Sequence, residues 1–289
     1  MTAFFIGLPI KKDASISELN IGKGIKTKLV VNTVKKVGQG GAMVSSAPFP
    51  SGIGARRILL YIFNYRYSNP TKILRLSEKS NNAFLRKMGY NFGRTAMSNH
   101  PGIAGLKSLT PCSFQLGNEE FNQKIGISKL IMTGYNLRMG LEHKLLSDAT
   151  SLKSEIKRRT TPDEFTKYEG FLDSDENRDS IFLHPFFAFR LDVPVDFSLV
   201  AKSTKKSEFW NVYVFLADIL PRVKKGKSLP VPWKDIHTIF QRRYGDEGQF
   251  RYFFKKILQE VFTVYPQAKS RVDTSNKEHL ILKHTPAPI

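Results

Sequence analysis

The amino-acid sequence predicts an α+β fold, and three observations carry that prediction. Phe250 to Tyr265 sets Phe250, Phe253, Phe254, Ile257, Leu258, Val261 and Phe262 at the i, i+3, i+4, i+7 spacing that marks one face of an α-helix. Two strand candidates, Ala268 to Val272 and Glu278 to Lys283, follow around the turn Asp273-Thr274-Ser275-Asn276. The order helix, strand, helix, helix, hairpin occurs twice, without sequence repeat. A helix-turn-helix closed by a hairpin is a winged helix, so the prediction sharpens to two tandem winged-helix (helix-turn-helix) domains.

Taken in order, residues 1–50 read as a basic N-terminal arm. Lys11, Lys12, Lys23, Lys26, Lys28, Lys35 and Lys36 stand among Gly and Val, and GIKTKLVVNTVKKVGQGG suits either a strand or a mobile arm holding phosphates. Gly22 to Thr27 has the outline of a phosphate loop, but Ile25 stands where Gly must precede the Lys, and the spacing fails. The first winged-helix domain covers residues 51–140. Ile53 to Tyr67, with Arg56, Arg57 and Arg66, is expected as a helix ended by Asn69-Pro70. Lys72 to Leu76 is a short strand. Ser77 caps a helix to Met88, and Gly89 closes it. The next helix falls in NFGRTAMSNHPGIAGLKSL, where Pro101, Gly102 and Gly105 weaken it. Ser113 to Leu116 and Ser128 to Leu137 are the expected wing strands.

Residues 141–179 are polar, mixed in charge and read as a linker. Asp173, Asp175, Asn177 and Asp179 alternate like the start of a calcium loop, but Arg178 replaces the required Gly and His184 the closing Glu. The second, DNA-reading winged-helix domain covers residues 180–289. Ile181 to Leu183 is a strand candidate and Asp196 to Ala201 a short helix. Ser207 caps EFWNVYVFLADIL, whose inner face carries Phe209, Val212, Tyr213, Leu216, Ile219 and Leu220, and Pro221 stops it. Lys224-Lys225-Gly226-Lys227 is a basic turn, Leu229 to Pro232 a strand and Trp233 to Arg243 a helix. Tyr244-Gly245-Asp246 turns into the Phe250–Tyr265 helix.

Charge says where contact should lie. The 289 residues carry a formal net charge of +20, which repels itself unless a polyanion is the working partner. Nucleic acid and an anionic membrane surface are the two candidates. No apolar run approaches the roughly 18 residues of a membrane span. Met1 to Ile10 is too short for a signal-peptide core, so a cytoplasmic protein is expected. A lone Cys112 excludes an intramolecular disulfide framework. Arg222 to Lys256 holds ten Lys or Arg against three acids, with Tyr244 and Tyr252 interleaved. An isolated amphipathic helix usually only packs; this dense basic surface around a helix-turn-helix is what points to double-stranded DNA.

At this point the chain resembles a known family, the plasmid-encoded replication initiators of the RepA type. The resemblance is carried by PFPSGIGARRILLYIF (Pro48 to Phe63), RLSEKSNNAFLRKMG (Arg75 to Gly89) and FRLDVPVDFSLVAKSTKKSEFWNVYVFLADIL (Phe189 to Leu220). Its most specific part is VPWKDIHTIFQRRYGDEGQFRYFFKKILQEVFTVYP (Val231 to Pro266), followed by a strand ending LILKHTPAPI. It covers roughly residues 48–110 and 180–285. The resemblance implies two winged-helix domains that bind repeated origin sites (iterons), open the adjacent DNA, and engage host replication proteins, namely the host initiator and helicase. Self-repression and a homodimer through the first domain belong to the same picture. DNA reading then falls to Arg242, Arg243, Gln249, Arg251, Tyr252, Lys255, Lys256 and Gln259, with Lys277 meeting phosphate at the wing tip and Lys224, Lys225 and Lys227 in the basic turn. Arg251, Lys255 and Gln259, at i, i+4, i+8, are expected on one stripe. In the first domain Arg94 and Lys107 occupy the corresponding helix region. The Pro101-Gly102 break departs from a regular reading helix, which leaves dimerisation or backbone clamping for that domain.

Other classes fit less well. Nicking initiators need two histidines one residue apart on a strand, and His100, His143, His184, His237, His279 and His284 are not so spaced. There is no GxxxxGK[ST] motif and no zinc-type Cys/His cluster, so neither enzyme activity nor a cofactor is expected. A winged-helix transcriptional regulator without an initiation role stays open as the alternative. No cationic amphipathic end helix or aromatic ribonucleoprotein motif supports a membrane-surface or RNA-binding protein.

Overall fold

Phe209 to Ala217 contains no charged residue, and its helix becomes the axis of the fold. The computed structural model describes residues 18–21, 27–32, 35–37, 43–45, 50–68, 81–88, 90, 101–109, 113–118, 123–129, 131–133, 162, 181–183, 193–201, 206–240 and 246–288. The helices are α1 (Gly52–Ser68), α2 (Asn81–Lys87), α3 (Pro101–Leu109), α4 (Phe197–Ala201), α5 (Ser207–Ile219), α6 (Trp233–Phe240) and α7 (Glu247–Phe262). The strands are β1 (Glu18–Ile21), β2 (Thr27–Asn32), β3 (Lys35–Val37), β4 (Met43–Ser45), β5 (Ser113–Asn118), β6 (Gln123–Lys129), β7 (Ile131–Thr133), β8 (Ile181–Leu183), β9 (Ser228–Pro232), β10 (Val272–Asp273) and β11 (His279–Lys283). The fold is α+β.

The sequence pattern gives α5 a single inner face, but Phe209 through Ala217 are all buried. A helix apolar on all sides belongs between other elements. On one side stands α1: Arg56 Nε donates to Asn211 Oδ1 at 3.0 Å, and Tyr61 of α1 meets Phe197 of α4 edge-on at 5.3 Å. On the other side Phe215 meets Phe254 of α7 at 6.4 Å. Helices from both halves of the chain thus share one hydrophobic core. Arg56 has no solvent exposure; burial lowers its pKa to about 9, which leaves it a cation at neutral pH. Ser207 is not the cap of α5. It is the first helical residue, the N-cap is Lys206 without a side-chain bond, and Glu208 supplies first-turn charge.

In α3 the structure corrects the reading of its glycines. Pro101 takes the first helical position, where a missing N–H costs nothing. Gly54 of α1 and Gly105 of α3 meet backbone to backbone: an added Cβ on Gly105 would lie 2.6 Å from the Gly54 carbonyl carbon. Gly102 gives the same clearance to the Tyr90 ring. Propensity counts Gly105 as a weakness, whereas here it is, with Gly54, the condition for a close helix crossing.

Residues 27–32 and 35–37 adopt the strand alternative. β2 pairs antiparallel with β1 and with β5, and β5 with β6, so the segment read as an arm shares a sheet with residues 113–118 and 123–129, in the order β1-β2-β5-β6. β3 and β4 form a hairpin of their own. The second expected wing strand divides: Ser128 and Lys129 end β6, while β7 leaves to pair with β8. The proposed features at Lys72–Leu76, Ser77 and Gly89, and the linker apart from Pro162, lie outside the described residues.

In the C-terminal half the predicted order is met: α5, β9, α6, α7, then the β10–β11 hairpin, with sheet order β10-β11-β9. That order is consistent with a winged helix. β10 is shorter than expected, because Pro266–Ala268 forms a 3-10 turn before it.

Candidate nucleic-acid interface

The α7 helix starts where Asp246 accepts the Gln249 backbone N–H at 2.7 Å, an N-cap that also places a carboxylate at the positive end of the helix dipole. Phe250, Phe254, Leu258 and Val261 are buried. Phe250 and Phe254 pack edge-on to Trp233, which is fully buried at the start of α6. With one stripe fixed inward, the opposite ridge faces outward: Gln249, Tyr252, Lys256 and Gln259 are exposed, and Phe253 and Glu260 flank them. Phe253, placed on the inner face by its spacing, is 39% exposed. It sits at the margin of the apolar stripe, where an i, i+3 match is weakest.

The expected stripe of Arg251, Lys255 and Gln259 runs along one side of α7, but only Gln259 is exposed, while Arg251 and Lys255 are half-buried. Arg251 and Lys255 lie on the flank that faces the hairpin. Arg251 Nη1 donates to the Lys277 carbonyl at 2.6 Å, its guanidinium stands 5.8 Å from the Trp233 ring, and Glu247 lies 3.6 Å away. It is a clamp between helix and wing. Lys255 is half-buried and within electrostatic reach of Asp273 of β10. The Ser275 N–H, 2.8 Å from the Asp273 carboxylate, holds that acid below the usual carboxylate range, and Lys283 and Lys255 add to the effect.

The hairpin tip is pinned from several sides. Trp233 Nε1 donates to the Asn276 carbonyl at 3.2 Å, and Trp233 N–H to the Glu278 carbonyl at 3.0 Å. Asn276 Oδ1 accepts the N–H groups of Glu278 and His279, closing the turn. Lys277 therefore projects, exposed, from a fixed loop. Trp233 and Asn276 are positioning residues that sequence reasoning missed; Asn in a four-residue turn was the available signal.

The Lys224, Lys225 and Lys227 side chains are all exposed, on a turn that Gly226 makes possible with φ 76°. This turn is not beside the wing tip. Ser228, just after it, pairs with Lys283, whereas Pro232 pairs with His279 next to the tip. Four strand steps separate the two ends, about 13 Å. The sheet therefore carries cationic groups at both ends, with Lys283 exposed at the end next to the basic turn. In the other half of the chain Lys107 is exposed on α3, but Gly102, Gly105, Leu106, Ser108 and Leu109 are buried, which leaves α3 no polar ridge. Arg94, Arg242 and Arg243 lie outside the described residues.

Among the described residues no helix is long and apolar enough to cross a membrane, and no group of three His, Cys, Asp or Glu is placed to hold a metal. No protein-family model matches the chain, and no curated protein does. Among solved structures, a crystal structure of the selenomethionine form of domains 2 and 3 of RctB aligns over 98% of each chain at 8% identity, with a TM-score of 0.43. At that score the likeness bears on neither mechanism nor partner.

Proposed function

We propose that the chain binds double-stranded DNA sequence-specifically, with α7 in the major groove and the β10–β11 hairpin on the adjacent backbone. The observation that supports this most strongly is the rigid coupling of the two: Arg251 and Trp233 tie the hairpin tip to α6 and α7, while the Gln249, Tyr252, Lys256 and Gln259 ridge is left exposed. A reading helix needs such fixed placement, because phosphate contacts set its register before bases are read. Lys277 at the tip and Lys224, Lys225 and Lys227 at the far end of the sheet are the phosphate anchors of this arrangement.

The biological role we propose is that of a plasmid replication initiator that binds repeated origin sites, promotes origin opening and helicase recruitment, and represses its own gene. The resemblance of Val231 to Pro266 and Phe189 to Leu220 to the RepA-type initiators supports it. The first half of the chain would then serve dimerisation or backbone clamping, and the protein would need neither cofactor nor catalytic step.

Footprinting of purified protein on the DNA flanking its own gene tests this. Evenly spaced protected repeats, near a whole number of helical turns apart, are the expected result. A single protected inverted repeat over the promoter would favour a plain winged-helix regulator. No protection above competitor DNA at moderate salt would overturn both.

A further inference from the structure

The outward ridge of α7 carries an unusual set of groups for a basic DNA-binding surface. Gln249 and Gln259 are exposed amides. Between them Tyr252 is 67% exposed and Phe253 39%, their rings edge to face with centroids 5.5 Å apart. Lys256 is the cation of the ridge. Arginine and lysine are the usual partners of guanine O6 and N7; Arg251, the arginine of α7, is committed to the Lys277 carbonyl, Glu247 and the Trp233 face, which leaves Lys256 as the one guanine-type group on the ridge.

In the major groove each of these groups has a preferred counterpart. A glutamine amide pairs with adenine N6 and N7. An aromatic or aliphatic surface packs against the C5-methyl group that thymine alone presents. Exposing two aromatic rings to water is unfavourable in the free protein, and a row of methyl groups would cover them. The N-terminal half of α7 is the end joined to the hairpin tip through Arg251. Gln249, Tyr252, Phe253 and Lys256 are therefore the residues seated when the wing meets the backbone. Gln249 to Lys256 spans about 10 Å of helix axis, or roughly three base-pair steps. Glu260, whose counterpart would be cytosine, stands about 10 Å beyond Phe253, toward the other end of the helix.

We infer that α7 reads a core of about three to four A·T-dominated base pairs, with Tyr252 and Phe253 as thymine-methyl contacts and Gln249 as the adenine contact. This rests on the DNA-binding function proposed above and names the sequence class of its ligand.

The test begins by selecting bound duplexes from a random library with the full chain. The selected consensus is then remade with deoxyuridine in place of each thymidine, which removes only the methyl group and leaves the protein untouched. A·T pairs should dominate the selected core, and uracil should weaken binding about fourfold at each contacted thymine. In Tyr252→Ala and Phe253→Ala variants, with unchanged thermal midpoints, that penalty should shrink. A G·C-dominated core, or equal affinity for thymine and uracil duplexes, would overturn this inference and leave the DNA-binding function standing. Failure to select any duplex would overturn both.

Discussion

Helices α3 and α7 are each followed by an antiparallel strand pair in their half of the chain, β5–β6 and β10–β11, yet they spend their surfaces in opposite ways. The α3 helix buries five of its nine residues, and Gly105 meets Gly54 of α1 so closely that a methyl group has no room. In α7 the buried stripe is a narrow row of large side chains, Phe250, Phe254, Leu258 and Val261, which hold their neighbours at side-chain distance and leave a full ridge outside. A helix packed through glycine gives its face to its neighbour; a helix packed through Phe and Leu keeps the opposite face for a ligand. The position of a helix in a motif therefore does not settle whether it can read DNA. Its packing residues do.

The sharpest way to break this contrast is Trp233→Ala. The side chain is fully buried against Phe250 and Phe254 and also bonds the hairpin tip. Its loss should cost about 3–5 kcal/mol of stability, measured by denaturant unfolding. A cost below about 1 kcal/mol would mean that α7 and the wing are not held as described. On the α3 side, Gly105→Val should cost about 1–3 kcal/mol by forcing α1 and α3 apart. An unchanged unfolding midpoint would remove the close crossing from the argument.

Arg251→Ala separates clamping from base reading. A clamp predicts lost stability, about 1.5 kcal/mol, along with weaker binding to all DNA sequences. A base reader predicts unchanged stability and a specificity relaxed at one position. The smallest effects compare single lysines. Lys277→Ala should lower the slope of log affinity against log salt by about 0.9, and Lys107→Ala should leave that slope unchanged. Equal effects would mean that α3 also meets the backbone.

Much of the C-terminal half was legible in the sequence. The periodicity of Phe250 to Phe262 and the strand candidate Glu278 to Lys283 each report one local constraint, and the structure meets both except at Phe253, which is exposed. What could not be read depends on neighbours distant in the chain. A helical wheel puts Arg251 and Lys255 on a polar face, but only the position of the hairpin shows that this flank is turned toward it. Gly54 and Gly105 are 51 residues apart in sequence, so neither alone announces a helix crossing. The burial of α5 on all sides follows from α1 and α7 packing on it together, and no local pattern encodes that. The pairing of β2 with β5 is likewise set by a partner strand far along the chain.

The most direct measurement is site-specific photocrosslinking on bound duplex DNA, with a photoactivatable residue placed at the exposed positions Tyr252 on α7 and Ala104 on α3 in separate full-length proteins. Crosslinks to bases from position 252, and none from position 104, are the predicted result. Base crosslinks from position 104 with none from 252 would contradict the assignment of α7 as the reading helix.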